Sequence, residues 1–322
     1  MKIVNDDNTD VEFSFLICTY RPQWDKLRMT LKSCLLQKNC NYKLVVADDG
    51  SDNNLFDEIR EYLKRKNFTD YELVGSACNL GTVKNVMQGL QACNGEYVKL
   101  ISPGDYMHGS QTMRNWLDFM NDHDDCAMSF GDAIYYHFEN DEIITTAEYA
   151  HPQSVNVCDE KTAIRNYLMH NDICLGASTL QRRQVWMKYL NLIVDKVVYA
   201  EDNTYRIMKY CGEKFMHFPH SIMLYEFGSG ISTNGSDKWA KRLRKDWKTT
   251  DRIMLSIRPC QEAKELALAE YLQKTLQRGW KGRFQRLLLY PSKVLFRLRT
   301  HFIPRRTPIV VDDGFMQQLL KE

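Results

Sequence analysis

The first hundred residues alternate between two hydrophobic patterns. Short runs of apolar and β-forming residues cover 12–18, 42–47, 70–75 and 96–101. Between these runs, apolar residues recur at three- and four-residue spacing over 22–38, 54–66 and 82–92. The first pattern is typical of strands and the second of amphipathic helices. Strands that alternate with helices predict right-handed crossovers and a mostly parallel central sheet, so the expected fold class is α/β.

The second half of the chain predicts a less regular order of elements. The β-rich segments 126–138 and 142–146 flank Glu139-Asn140-Asp141, a pattern typical of a hairpin. The remaining expectations are a helix at 109–121, a helix at 158–169, an extended or irregular segment at 172–180, a helix at 182–190, a helix at 201–210, a strand pair within 214–226 and helices from 237 onward. Glu201 and Asp202 are expected in the first turn of helix 201–210, where the helix dipole favours acids.

Length and composition favour a folded protein with one large domain and an appendage. The chain has 322 residues, of which 44% are hydrophobic and 26% charged, and this balance is ordinary for a soluble protein. No stretch approaches the roughly 18 consecutive apolar residues of a spanning helix. The first seven residues also lack the apolar core of a secretion signal.

The ten cysteines favour a reducing compartment. No Cys-x-x-Cys pair occurs, and the spacing of the histidines indicates no zinc site. Several cysteines lie in or beside apolar runs, where a free thiol behaves as a small hydrophobic group. We therefore expect a cytoplasmic protein without a disulfide framework.

The net charge of +2 conceals a strong asymmetry. Residues 238–306 contain 19 Lys and Arg but only 5 Asp and Glu, whereas the rest of the chain contains 24 and 36. Such segregation predicts an acidic catalytic body with a basic tail that meets an anionic surface.

The segment 281–306 combines eight basic residues and no acidic ones with apolar residues near helical spacing. This pattern is typical of an interfacial helix on anionic lipid, which would make the protein peripheral on the inner face of the cell membrane. An amphipathic helix packed on the catalytic domain explains the pattern equally well. A nucleic-acid-binding arm is a third alternative, but no nucleic-acid-binding motif supports it, and nucleic acid is not an expected partner.

Acidic residues follow two of the predicted strands. Asp48 and Asp49 end the second strand in a tight turn, where they either accept hydrogen bonds from a nucleoside or belong to an ordinary loop with a helix cap. A Pro-Gly break after the fourth strand delivers Asp105. An acid at this edge of an α/β sheet lies where such folds bind ligands, and it can hold a divalent cation together with phosphate oxygens.

Five segments, in order, resemble family 2 glycosyltransferases. They are Phe15-Leu16-Ile17-Cys18-Thr19-Tyr20-Arg21-Pro22, Val45-Val46-Ala47-Asp48-Asp49-Gly50-Ser51-Asp52, Asn79-Leu80-Gly81, Gly95-Glu96-Tyr97-Val98 and Glu201-Asp202. The resemblance covers roughly residues 12–230. It implies a GT-A fold, a Rossmann-like sheet flanked by helices, with inverting transfer of one sugar from a nucleotide-sugar, usually a UDP-sugar with Mg²⁺ or Mn²⁺.

The resemblance also implies a domain plan and a set of site residues. Residues 1–235 would form the catalytic domain, with a nucleotide-binding half at about 1–105 and an acceptor half at 106–235, and 236–322 a helical basic region. By position, Asp202 resembles the catalytic base, with Glu201 beside it, and Asp105 resembles the metal ligand. The implied nucleotide-binding residues are Thr19, Tyr20, Arg21, Asp48, Asp49, Asn79, Gly81, Lys84 and Ser102.

The metal-binding strand end departs from the family pattern. Family members commonly carry Leu-Asp-x-Asp-Asp, whereas this chain has Ser102 and Gly104 at two of the acidic positions and keeps only Asp105. One carboxylate with phosphates and water still suffices for Mg²⁺. The expected function is therefore sugar transfer to a glycan or lipid-linked acceptor in bacterial surface-polysaccharide biosynthesis, and the alternative is a catalytically silent nucleotide-sugar-binding or scaffold subunit.

Two further segments are candidates for the active site. Residues 226–233 are rich in Gly and Ser, and they predict either a loop that closes over a pyrophosphate or a mobile connector. His151, His170 and His220 are possible acceptor-site residues, although a structural role is the simpler interpretation for each.

Overall fold

A computed structural model of the chain describes residues 11–139, 142–145, 160–170, 172–228, 236–260, 263–275, 279–301 and 311–321. Within these residues, nine strands form one mixed sheet. The strands are β1 Phe13–Thr19, β2 Tyr42–Asp48, β3 Tyr71–Gly75, β4 Tyr97–Ile101, β5 Tyr106–Met107, β6 Cys126–Glu139, β7 Glu142–Thr145, β8 Thr179–Arg182 and β9 Lys214–Glu226.

Four neighbouring strands of the sheet are parallel, and their carboxyl ends determine where a ligand can bind. Its strand order is β3-β2-β1-β4-β8-β6-β9-β5, with β7 paired to β6. The chain runs outward from β1 to β2 and β3, and then returns to β4 on the other side of β1, with all four strands parallel. This reversal of direction is a topological switch point, and the carboxyl ends of β1 and β4 therefore border a crevice in which open α/β sheets bind ligands.

Helices cover both faces of the sheet. They are α1 Trp24–Leu35, α2 Phe56–Arg65, α3 Thr82–Ala92, α4 Thr112–Asn121, α5 Glu160–Met169, α6 Arg183–Leu190, α7 Asn203–Tyr210, α8 Asp237–Ser256, α9 Ala263–Thr275, α10 Trp280–Leu289, α11 Pro291–His301 and α12 Asp313–Leu320. The alternation along β1 divides the core, because Phe13 and Phe15 face one helical layer and Leu16 faces the other. The predicted α/β class and mostly parallel sheet are confirmed.

The C-terminal helices contribute to both layers of the core. Phe315 and Leu319 of α12 are buried in the cluster that also contains residues of α1. Ile253 and Met254 of α8 are buried in the cluster on the opposite face. The basic C-terminal region is therefore integrated with the sheet domain through its first and last helices.

Several predicted boundaries were wrong. Helix α7 begins at Asn203, so Glu201 and Asp202 form the turn before it and not its first turn, with Asp202 as the N-cap residue. The segment 214–226 is one long strand and not a strand pair. Pro219 does not end this strand, because it lies where the register against β6 shifts, and such an irregularity needs no donor from proline. Helix α1 begins at Trp24 because Arg21 has a φ of 49° and Gln23 is extended.

Some predictions fall outside the described residues. They are the hairpin turn at 140–141, the start of the helix at 158–159, His151, residues 229–233 of the Gly/Ser-rich segment and residues 302–306 of the basic segment. The strands that flank the hairpin turn pair antiparallel, from Tyr136 opposite Thr145 to Glu139 opposite Glu142. No helix among the described residues is long and apolar enough to cross a membrane.

Gly89 provides a test of how tightly α3 packs on the sheet. A Cβ atom at this position would lie 2.3 Å from Leu16 Cδ1 and 3.0 Å from Ala47 Cβ. The better helix propensity of alanine gains about 1 kcal/mol, but overpacking a core costs about 1–3 kcal/mol. We expect Gly89→Ala to lower the free energy of unfolding, measured by urea titration. Gly75→Ala is the matched control, since its Cβ would make only ordinary contacts at 3.5 Å, and equal stability of the two variants would contradict the prediction.

Candidate active site

A cleft of about 560 Å³ opens at the carboxyl ends of β1 and β4. It unites eight of the predicted site residues from distant parts of the chain: Thr19, Tyr20, Arg21, Asp49, Ser102, Asp105, Glu201 and Asp202. The switch point of the sheet explains this convergence, because the loops after β1 and β4 leave the same edge. The cleft therefore has one acidic group after β4 and another just before α7.

The two acids of the β2 turn have different surroundings. Asp48 is buried and accepts hydrogen bonds from Thr19 Oγ1 at 2.8 Å and from the Ser51 N–H and Oγ at 2.7 and 2.8 Å. Its carboxylate thus ties the end of β1 to the turn. Asp49 lines the cleft and accepts from the N–H groups of Leu80 and Gly81 at 2.7 and 2.9 Å. Burial raises the pKa of Asp49, and these two N–H groups oppose that rise.

Four of the predicted nucleotide-binding residues, Asp48 among them, are not among the residues that line the cleft. Asn79 is exposed in the turn that Asp49 holds. Gly81 belongs to the same turn with a φ of 94°, and a Cβ there would clash with Val198. Lys84 is on α3, and its Nζ lies 3.5 Å from Asp195 Oδ1. Thr19, Tyr20, Arg21, Asp49 and Ser102 are the predicted nucleotide-binding residues that do reach the cleft.

Asp105 is held in a tight turn after β4. Its N–H donates to Ser102 O at 2.9 Å, and Thr30 Oγ1 of α1 donates to Asp105 O at 3.0 Å and accepts from the Gly104 N–H. Burial raises the pKa of the Asp105 carboxyl to about 7, although a hydrogen bond from the Glu226 N–H and the charge of Lys99 oppose the rise. An incoming cation would therefore meet a poorly solvated carboxyl group that gains from a positive partner.

Lys99 lies fully buried beneath this turn. Its ammonium group donates to Leu100 O at 2.6 Å and to Ala177 O. Burial lowers the pKa of Lys99 to about 8, and the carboxylate of Asp105 opposes that fall. A fixed positive charge thus lies behind the acidic strand end.

Glu201 and Asp202 form an acidic pair on the cleft, where Glu201 is half-buried and Asp202 is exposed. Desolvation raises the pKa of Glu201 to about 8, and the negative charge of Asp202 adds to the rise. Desolvation also raises the pKa of Asp202. Gly176 lies beside Asp202, since a Cβ there would be in van der Waals contact with Asp202 Cβ at 3.4 Å. Such a pair holds its first proton readily near neutral pH, which suits a group that accepts a proton from a substrate.

The residues at the end of β4 can coordinate a divalent cation only if a bound substrate supplies further oxygen atoms. Within the described part of the chain, no three His, Cys, Asp or Glu side chains converge as a metal site. Asp105 offers the hard oxygen donor that Mg²⁺ and Mn²⁺ prefer, and Mg²⁺ often uses one or two carboxylates with phosphate oxygens and water. The donor set therefore fits a cation that arrives together with a phosphorylated ligand.

The sequence model described as Glycosyl transferase family 2 matches residues 14–190, which is more than half of the chain. The chain belongs to glycosyl transferase family 2. The protein is therefore a glycosyltransferase, and the resemblance noted in the sequence is confirmed. No curated protein sequence matches it at a significant level.

Solved structures share the GT-A fold of this glycosyltransferase. S. aureus TarS 1–349 superposes with a TM-score of 0.57 at 16% identity over 82% of this chain and 71% of that one. The same TarS fragment in complex with UDP-GlcNAc gives 0.57 at 15% identity over 82% and 72% of the two chains. The mannosyltransferase PcManGT from Pyrobaculum calidifontis, in complex with GDP-Man and Mn²⁺, gives 0.56 at 11% identity over 91% and 84%. At these identities the similarity shows the fold alone.

The glycosyltransferase cleft also contains an ion pair that the sequence analysis missed. Lys26 in the first turn of α1 donates to both oxygens of Glu226, at 2.5 and 2.8 Å. Both residues line the cleft beside Ser102 and Asp105. Glu226 is the last residue of β9, just as Asp48 is the last residue of β2. An acid at a strand end was the feature of the sequence that could have indicated a functional role for Glu226.

Helix α8 forms one wall of the cleft through Leu243 and Trp247. Between them, Asp246 is buried and accepts hydrogen bonds from the N–H groups of Val198, Tyr199 and Ala200 at 3.4, 2.7 and 3.2 Å. These N–H groups immediately precede Glu201. The basic C-terminal region thus fixes the backbone that presents the acidic pair.

Removal of the Asp246 carboxylate tests this anchoring. Asp246→Ala leaves the buried Ala200 N–H and the partly buried N–H groups of Val198 and Tyr199 without this acceptor, and each buried group left unpaired costs about 1–3 kcal/mol. We expect a loss of at least ~2 kcal/mol in unfolding free energy and faster hydrogen exchange at residues 198–200. Asp246→Asn is the matched control, because its amide oxygen still accepts. Unchanged exchange in Asp246→Ala would show that α8 does not hold this segment.

Proposed function

We propose that this glycosyltransferase moves one sugar from a nucleotide-sugar, a UDP-sugar in particular, to a hydroxyl group of a glycan or lipid-linked acceptor with inversion at the anomeric carbon. The observation that carries the proposal is the shared cleft of Asp105 and the Glu201–Asp202 pair. Asp105 is available to hold the cation that accompanies the donor's diphosphate. The Glu201–Asp202 pair is available to take a proton from the acceptor. Surface-polysaccharide biosynthesis in the bacterial cytoplasm is the proposed setting.

The chemistry assigns one role to each acidic group. The acceptor oxygen attacks the anomeric carbon, the bond from that carbon to the phosphate oxygen breaks, and the electron pair leaves with the diphosphate. Asp202 takes the hydroxyl proton, and its raised pKa favours this step. Mg²⁺ or Mn²⁺, held by Asp105 and the phosphates, would offset the charge that develops on the leaving group. A single displacement inverts the anomeric centre.

The donor end is proposed to lie along β1 and β2. Thr19 and Asp49 line the cleft there, and Asp48 supports Thr19 from beneath. TarS binds UDP-GlcNAc and PcManGT binds GDP-Man in their structures, so a nucleoside diphosphate sugar is the donor class to test. The division into a nucleotide-binding half at 1–105 and an acceptor half at 106–235 stays a prediction that this arrangement supports.

The acceptor end is proposed to lie against α8. Trp247 on the cleft wall is 48% exposed, although tryptophan is usually well buried. Tyr199 lines the same part of the cleft and packs edge-on against Trp239. Exposed aromatic faces beside a general base suit an acceptor that carries a sugar ring, and they favour a glycan or a glycolipid head group.

Replacement of Asp202 tests the proposed reaction. Turnover of UDP-, GDP- and dTDP-sugars with Mn²⁺ and an acceptor extract is measured by release of the nucleoside diphosphate. We expect Asp202→Asn to lower kcat by about 10²–10⁴-fold and to leave UDP affinity unchanged. Because desolvation in the cleft raises the pKa of Asp202, the wild-type rate should rise with pH until this carboxyl group is ionised.

The controls separate catalysis from binding. Asp237→Asn, at the exposed start of α8, should leave kcat unchanged. Nucleotide-sugar binding by the wild type without turnover of any donor would favour the alternative, a catalytically silent binding or scaffold subunit. Absence of both binding and turnover would refute the donor proposal.

The basic C-terminal helices are proposed to contact an anionic membrane. Large apolar side chains of α10 and α11 are more than half exposed: Trp280, Phe284, Leu288, Leu289, Leu295 and Leu298. All but Trp280 lie in the segment 281–306, which has eight basic residues and no acidic ones. Phe296 of α11 stacks on His170 at 4.6 Å, so these helices also contact the domain. The two interpretations of the segment are therefore compatible, and peripheral attachment on the inner face of the membrane is the proposed location.

Point substitutions test membrane attachment better than truncation. A deletion after residue 280 would also remove α12, whose Phe315 and Leu319 belong to the core. We expect Leu288→Glu with Leu295→Glu to abolish sedimentation with phosphatidylglycerol vesicles, because both residues are 65% exposed and each would carry a negative charge to the surface. Leu268→Glu on α9 is the matched control. Wild-type sedimentation of the double variant would refute the membrane contact.

A further inference from the structure

A carboxylate from another strand occupies the space beside Gly104 at the end of β4. Gly104 stands where the family pattern carries an acid. A Cβ atom at Gly104 would lie 2.5 Å from Glu226 Oε2. The volume that a Cβ at 104 would fill therefore holds the carboxylate of Glu226, and the φ of 99° at this position also favours glycine.

The backbone of Glu226 is joined directly to Asp105. The Glu226 N–H donates to Asp105 Oδ1 at 3.2 Å, and the neighbouring residues Tyr106 and Leu224 pair between β5 and β9. The two carboxylates thus belong to one rigid junction at the mouth of the cleft. Two acids so close together repel each other unless a positive charge lies between or beside them.

Lys26 supplies that positive charge in the unliganded protein. Its ammonium group contacts both oxygens of Glu226, and the Glu226 side chain is only 13% exposed against 33% for Lys26. The lysine is thus the more accessible partner, and its stem is attached to the first turn of α1 on the cleft. A divalent cation would neutralise the two acids more completely than one ammonium group, and a diphosphate would offer the ammonium group a new anionic partner.

We propose that Glu226 is the second protein ligand of the donor's divalent cation, and that Lys26 exchanges Glu226 for the diphosphate when donor and cation bind. This inference rests on the proposed nucleotide-sugar donor. It gives the missing acid of the strand end a substitute from β9, with Gly104 as the residue that makes room for it. It also gives Lys26 a role in holding the diphosphate.

The test measures Mn²⁺ and nucleotide binding without any acceptor or turnover. Free Mn²⁺ is followed by electron paramagnetic resonance with UDP or GDP present, and nucleotide affinity by calorimetry in metal-free buffer. Glu226→Gln keeps the shape and the backbone N–H but loses the charge. We expect it to weaken Mn²⁺ binding at least tenfold in the presence of the nucleotide and to leave metal-free nucleotide affinity equal or higher, because Glu226 then no longer competes with the diphosphate for Lys26. Glu226→Asp should recover part of the Mn²⁺ affinity.

Lys26→Met provides the complementary measurement. It should weaken nucleotide binding and should leave Mn²⁺ affinity without nucleotide equal or higher, because the Lys26 ammonium group then no longer competes with the cation for Glu226. Glu213→Gln is the matched control, since Glu213 pairs with Lys188 and Tyr189 away from the cleft.

The outcomes distinguish this inference from the proposed function. Mn²⁺ affinity of Glu226→Gln equal to that of the wild type, with nucleotide present, overturns the role of Glu226 and leaves the donor proposal intact. If Glu226→Gln loses metal-free nucleotide affinity and Mn²⁺ affinity equally, and Glu226→Asp recovers neither, the ion pair is purely structural. This result also overturns the role of Glu226 as a metal ligand. Failure of the wild type to bind UDP or GDP with Mn²⁺ refutes the donor proposal itself, and the cation proposal with it.

Discussion

Burial of negative charge at the end of β4 is the constraint on which the rest of the site depends. Asp105 lies at the switch point of the sheet, where the backbone geometry leaves little water around the carboxyl group. Buried Lys99 behind it and the backbone N–H groups of Glu226 and of the turn itself reduce the resulting penalty, whereas the negative charge of Glu226 adds to it. The pKa of Asp105 stays raised despite these contacts, so a further positive charge nearby would stabilise its ionised form.

The same physical reasoning explains the second acidic group. Glu201 and Asp202 are adjacent and poorly solvated, so the negative charge of Asp202 opposes ionisation of Glu201 and raises its pKa to about 8. Their position depends on Asp246, which accepts hydrogen bonds from the N–H groups of the three preceding residues. The base of the proposed reaction is thus held by a helix that lies outside residues 14–190, the part that the family model matches.

The C-terminal region combines structural and surface properties. Asp246 and Trp247 of α8 face the turn before α7 and the cleft, and α12 completes the core beside α1. Helices α10 and α11 instead present a row of exposed apolar side chains. A region that looks in sequence like one basic appendage therefore divides into helices that support the fold and the cleft, and helices whose outer face is available for another surface.

The sequence by itself determined the α/β class, the family and eight residues of the cleft, because strand ends and acidic turns are written in local patterns such as Asp48-Asp49 and Pro103-Gly104-Asp105. It did not determine the continuous β9 across Pro219 or the start of α7 at Asn203, since neighbouring strands and turns overrode local propensity. Only the tertiary structure decided that Glu226 fills the space beside Gly104 and that Asp246 holds the turn before Glu201. These contacts join residues more than 40 positions apart, and no local pattern of hydrophobic or charged residues encodes which distant side chain will occupy a given space.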